Sequence, residues 1–133
     1  MNNSSSKILI VQVNGSPTLE YDRTKSLSSA QQQSLALMEE KLNLGLMLGN
    51  EQVMNPSFEQ RIEFVSANLI SAILKGEEVL AAASCAYIAQ ALPELKQIKA
   101  MERNGEISIE LIFDREYQPE EKLKFVQPGQ YQQ

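Results

Sequence analysis

Ile98-Lys99-Ala100-Met101-Glu102-Arg103-Asn104-Gly105-Glu106-Ile107-Ser108-Ile109-Glu110-Leu111 places strand-forming residues on both sides of an Asn-Gly pair. Asn-Gly supplies the two positive-φ positions of a two-residue type I′ turn, whose twist matches that of the strands it joins. Turning there sets Arg103 opposite Glu106 and Lys99 opposite Glu110 on one face, while Ile98 meets Leu111 and Ala100 meets Ile109 on the other. A single register satisfies both faces. The stretch therefore predicts an antiparallel hairpin with Ile98, Ala100, Ile109 and Leu111 turned to a core.

A second Asn-Gly, Asn14-Gly15, follows the β-branched run Lys7 to Val13 and precedes Ser16 to Asp22. A plain two-residue turn predicts Ile10 opposite Leu19, Ile8 opposite Tyr21 and Lys7 opposite Asp22. Pro17 cannot donate a ladder hydrogen bond, which confines that strand to a sheet edge. Between the hairpins the pattern reads as three helices. The first opens at the capping box Ser28-x-x-Gln31, carries Leu35, Met38 and Leu42 on one stripe, and stops at Gly45 or Gly49. A loop of glycine and polar residues leads to Asn55-Pro56-Ser57, where Asn55 or Ser57 caps the second helix. That helix runs to Gly76 with Phe58, Ile62, Val65, Leu69 and Ile73 on a single face, widened by Phe64, Ile70 and Leu74. The third spans Glu77 to Leu92, opens with two glutamates and is stopped by Pro93; between Val79 and Leu92 it carries no charge.

The fold class expected is α+β: a three- or four-stranded antiparallel sheet from two hairpins, in the order ββαααββ, packed against three helices. Residues 1–6 and the Gln-rich stretch 127–133 lack periodic apolar positions and read as disordered ends of a single domain spanning 7–126. Lys122 to Val126 reads as a short additional edge strand.

Composition bounds the function. The chain has 133 residues, 43% hydrophobic and 22% charged, with no apolar run long enough to cross a bilayer and no basic segment ahead of its first apolar stretch. Cytoplasmic residence is expected. One cysteine excludes an internal disulfide, and the lack of histidine removes the usual general base and the usual partner of a serine or cysteine nucleophile. The net charge of −5 repels phosphate backbones and anionic lipid, so neither nucleic acid nor membrane is expected as a partner. No phosphate-cradling glycine loop occurs, and no cofactor is expected.

Cys85 lies among alanines with no basic neighbour in sequence, which suits a buried packing thiol. Glu59 and Glu63 have the i, i+4 spacing that can present oxygens to a divalent metal. All-helical nucleotide pyrophosphohydrolases resemble this arrangement loosely, but their Glu-x-x-Glu and following second acidic pair are not present. The order helix, helix, helix, hairpin resembles winged-helix DNA-binding proteins in topology, and would imply base reading by the third helix. That helix offers no Arg or Lys between Val79 and Leu92.

The function expected is therefore non-catalytic: a small acidic protein-binding module of regulatory, adaptor or assembly-chaperone type. A carboxylate and divalent-metal enzyme is the alternative, and a winged-helix-like regulator the third reading. Apolar surface on the second and third helices exceeds what one small sheet covers, which points to a homodimer with Phe64, Ile70, Leu74 and Tyr87 as its candidate interface residues.

Overall fold

A computed structural model describes residues 7–48 and 50–118. Its element order is β1 (Ile8–Val13), β2 (Ser16–Asp22), α1 (Ser29–Asn43), β3 (Leu46–Leu48), β4 (Glu51–Val53), α2 (Phe58–Lys75), α3 (Glu78–Ala91), β5 (Gln97–Arg103) and β6 (Glu106–Ile112). The ends expected to be disordered, residues 1–6 and 127–133, lie outside the described residues, as does the strand expected at Lys122 to Val126.

Both Asn-Gly pairs turn as their chemistry requires. Asn14 and Gly15 have φ of 51° and 85°, and Asn104 and Gly105 have 53° and 84°. The β5–β6 ladder holds the expected register, with Ile98 opposite Leu111, Lys99 opposite Glu110, Ala100 opposite Ile109 and Arg103 opposite Glu106. In the first hairpin the expected register is wrong by one residue. It begins with Val13 opposite Ser16 and Gln12 opposite Pro17, then shifts so that Val11 faces Leu19, Ile10 faces Glu20, Leu9 faces Tyr21 and Ile8 faces Asp22. Thr18 is the extra residue, and its hydroxyl donates to the Val11 carbonyl at 3.1 Å. The bulge moves Leu19 and Tyr21 to the same face as Val11 and Leu9, which no slip-free pairing would do.

The two hairpins form one four-stranded sheet in the order β2-β1-β5-β6. It is mixed and not antiparallel throughout, because β1 and β5 run parallel at its centre, with Val11 beside Ile98 and Val13 beside Ala100. Asn14 extends that seam in two ways: its amide donates to the Ala100 carbonyl at 2.8 Å, and its side-chain oxygen accepts from the Glu102 amide at 2.8 Å. A parallel pair needs a long crossover, and the helical middle of the chain supplies it. Pro17 sits in β2 at one sheet edge, as expected, while β6 is the other.

Capping boxes open α1 at Ser28 with Gln31 and α2 at Ser57 with Gln60, so Ser57 caps the second helix and Asn55 does not. Gly76, at φ 76°, closes α2. The link expected as a loop between α1 and α2 holds a small separate hairpin, β3–β4, with Leu46 opposite Val53. Gly45 admits it. At φ 105° a Cβ there would lie 2.9 Å from the Met54 sulfur and 3.0 Å from the Val53 carbonyl oxygen, so the approach needs glycine.

The middle helix of the layer is α3, which packs against α1 on one side and α2 on the other. Ala81, Ala83, Ser84, Cys85, Ala86, Ile88 and Ala89 are all buried, and Ala81, Ala83, Cys85, Ile88 and Ala89 share one core with Leu9, Val11, Ile98 and Ala100 of the sheet. Small side chains allow the close approach, and neighbours on several sides account for the missing polar face. This corrects the basis for expecting a dimer. Most of the apolar circumference of α3 is covered within the chain, with Val79 exposed near its start, and Ile70 is fully buried.

Arg23, just past β2, ties the sheet to the end of α3. Its guanidinium donates to the carbonyls of Ala89 at 2.6 Å, Leu92 at 3.3 Å and Leu95 at 2.6 Å. The Ala89 and Leu95 carbonyls belong to the last helical turn and the link beyond it, the Leu92 carbonyl also accepts from the Leu95 amide at 3.1 Å, and a cation there complements the negative end of the helix dipole. Removing that cation leaves part-buried carbonyls unpaired. Arg23→Met is expected to lower the unfolding free energy by about 2 kcal/mol with an unchanged denaturant slope, whereas exposed Arg103→Ala should cost below about 0.5 kcal/mol. Urea melts of the two variants measure the difference.

Candidate functional site

Two apolar hollows lie on opposite sides of α2. The larger, 630 Å³, is a cleft lined by Leu37, Met38 and Leu42 of α1, Leu44 to Met47 of the link and β3, Phe64 of α2 and Leu80 of α3. Glycine-permitted folding of the β3–β4 hairpin against α1 opens this cleft. Its floor is continuous with the core through Met38, Leu42 and Leu46, which are buried. Its walls are not. Leu37, Leu44 and Met47 are 56%, 72% and 53% exposed, a concentration of apolar surface that water opposes. Among the described residues Lys41 is the only charged one lining it.

The second hollow, 390 Å³, is a groove between α2 and β6. Ile62, Leu92, Ile109 and Leu111 line it, Phe58 and Phe113 stand exposed beside them, and Glu59 and Glu63 form its α2 side. Ser66 also lines the groove. Its hydroxyl is buried and has no hydrogen-bond partner among the described residues. A buried hydroxyl left unpaired costs on the order of 1–3 kcal/mol, so a polar atom entering the groove beside it would be stabilised.

The expected interface residues fare differently. Phe64 is half-buried and lines the larger cleft, Leu74 is exposed at the end of α2, Tyr87 is half-buried against the core, and Ile70 lies inside it. The structure does not bring them together as one surface. Phe58, expected on the buried stripe of α2, is instead 55% exposed. Among the described residues no group of three or more His, Cys, Asp or Glu side chains could hold a metal ion. Glu59 and Glu63 stand at the groove, exposed. The helix that a winged-helix reading would assign to base contacts, α3, packs between α1 and α2. Among the described residues no helix is long and apolar enough to cross a membrane.

Among the described residues four titratable groups are shifted, and each has a local cause. Burial pushes the Cys85 thiol up to about 12, against a small opposing pull from Arg23. Burial also raises the Tyr21 phenol, helped by Cys85, and burial lowers Arg23. Asp22 is lowered by hydrogen bonds from the Thr24 hydroxyl and amide, at 2.6 and 2.9 Å. Arg23 and the sheet-side hollow were missed by sequence reading. An arginine directly after a strand carries no local mark of its distant acceptors.

Compared with family models, with curated proteins and with solved structures, the chain matches none.

A thiol that ionises near its ordinary value of 9.0 when unfolded and is pushed up to about 12 when folded adds stability that is complete below pH 9 and is lost as pH rises toward 12. Thermal melts from pH 8 to 11 are expected to show that fall in the native chain, and a shallower one in Cys85→Ala. Identical slopes in the two would contradict thiol burial. Labelling of the native thiol at neutral pH should likewise be far slower than in the unfolded chain.

Proposed function

We propose that the protein is a non-catalytic binding module that pairs with a second copy through the α1 cleft and leaves its remaining surface for another protein. The observation that carries this reading is the cleft itself, with Leu37, Leu44 and Met47 exposed around a floor continuous with the core. Exposed leucine and methionine gathered at one place favour a macromolecular contact, and methionine adapts its shape to the surface it meets. Charge favours a like partner here. The chain carries −5 overall, yet among the described residues the cleft presents a single cation and no carboxylate, so two copies can meet there without opposing acids. The chemistry of the chain supports binding over catalysis, because its one thiol is sealed in the core and histidine is missing. A cytoplasmic location belongs to the same proposal.

Sedimentation equilibrium at micromolar concentration tests it. The expected mass is twice the 14.9 kDa of the chain. Such a dimer would bury roughly 1,200–2,000 Å². Leu44→Glu and Met47→Glu replace exposed side chains, so each should give a monomer with its melting temperature kept. A native chain that sediments as a clean monomer would overturn self-association. A dimer indifferent to both substitutions would place the contact elsewhere.

A further inference from the structure

The groove between α2 and β6 differs from the cleft in three respects: it runs beside a sheet edge, it carries carboxylates, and it holds an unpartnered polar group. Among the described residues β6 is paired on one side only, with β5. An unpaired strand edge offers a row of backbone donors and acceptors to another extended chain. A strand added there would lie about 4.8 Å beyond β6, and every second side chain would turn toward the helix layer. On this molecule that direction leads between α2 and β6, onto Ile62, Ile109 and Leu111 and between Phe58 and Phe113. The buried, unpaired Ser66 hydroxyl is placed to bond a polar atom of the entering chain. Glu59 and Glu63 line the α2 side, and among the described residues no Lys or Arg lines the groove.

We propose that this groove receives an extended segment of another protein, apolar at the side chains that enter the groove and flanked by lysine or arginine where it passes Glu59 and Glu63, which joins β6 as an added strand. Carboxylates along one wall favour cationic flanks and oppose a second copy of this acidic chain. A helical segment would satisfy its own backbone internally and leave the β6 edge unpaired, so the extended form is the one that fits. The proposal rests on the reading of the protein as a binding module, but not on its self-association, because the groove and the cleft share no lining residue.

The test titrates a short capped peptide of valine, threonine and leucine flanked at each end by two lysines into the full ¹⁵N-labelled chain. Amide shifts are expected at Ile107 to Phe113 and along Phe58 to Ser66, with the α1 cleft unchanged. The matching peptide with glutamate for lysine should bind at least about tenfold more weakly, and the difference should shrink in high salt. N-methylation of alternate peptide amides should abolish binding, and Glu59→Gln with Glu63→Gln should remove the preference for lysine. Ser66→Val keeps the side-chain shape while removing the hydroxyl; it should leave the fold intact and weaken binding several-fold. Equal binding of the lysine and glutamate peptides, binding that survives N-methylation, or shifts confined to the α1 cleft would each overturn the groove proposal. Shifts at the cleft alone would still leave the binding-module reading in place, and no shift at either surface at millimolar peptide would count against both.

Discussion

The parallel seam between β1 and β5 is the constraint on which the rest of the structure depends. Each hairpin closes on its own turn, but a two-stranded hairpin is marginal in water, and neither buries both faces alone. Joining them edge to edge makes β1 and β5 interior strands, which is why Leu9, Val11, Ile98 and Ala100 are fully buried while β2 and β6 keep half-exposed residues. The seam also dictates the crossover. A parallel pair cannot be joined by a tight turn, so the chain between β2 and β5 must run out, cover the sheet and come back. Three helices make that journey, and α3, the last of them, delivers the chain to β5 through the short link that Arg23 holds.

A layer of helices on one face leaves the other face to be closed by different means. Gln12 and Gln97, on the far side of the interior strands, are buried and bonded to each other at 2.6 Å, and Gln97 donates onward to the Arg115 carbonyl at 3.0 Å. The chain after β6 thus crosses the outer face, and the two glutamines satisfy each other beneath it. Buried polar groups paired in this way fix a register that apolar contacts alone leave free to slide. On the helix face the opposite logic holds, with alanine and serine bringing α3 close to both neighbours.

Local features of the fold were legible in the residues, and long-range ones were not. Asn-Gly turns, the Ser-x-x-Gln capping boxes and the stop at Gly76 each act within a few residues, and each stands where its chemistry put it. The register of β5–β6 was readable because charge and apolarity alternate together there. In β1–β2 the Thr18 bulge has no composition signal beyond Pro17 next to it. Parallel pairing of the hairpins went unread, although the nearly unbroken apolar run of β1 was a clue, since interior parallel strands lose the alternation that half-exposed ones keep. The excess apolar surface attributed to α3 was an error of the same kind: without the layer order, a helix buried by its own chain looks like one in need of a partner. Of the candidate surfaces, only Phe64 and the pair Glu59 and Glu63 were singled out beforehand, because both hollows are formed by elements far apart in sequence.

The most direct measurement of this account is the hydrogen bonding of the β1–β5 seam, where the Ile10 amide donates to the Lys96 carbonyl at 3.2 Å and the Asn14 amide to the Ala100 carbonyl at 2.8 Å. Scalar couplings across hydrogen bonds, measured by nuclear magnetic resonance on a ¹³C,¹⁵N-labelled chain, report such pairs individually. The account predicts couplings for Ile10 to Lys96 and Asn14 to Ala100, with amides of β1 and β5 exchanging more slowly than those of β6. Couplings that place β1 antiparallel to its neighbour, or exchange in β1 as fast as at the β6 edge, would contradict it.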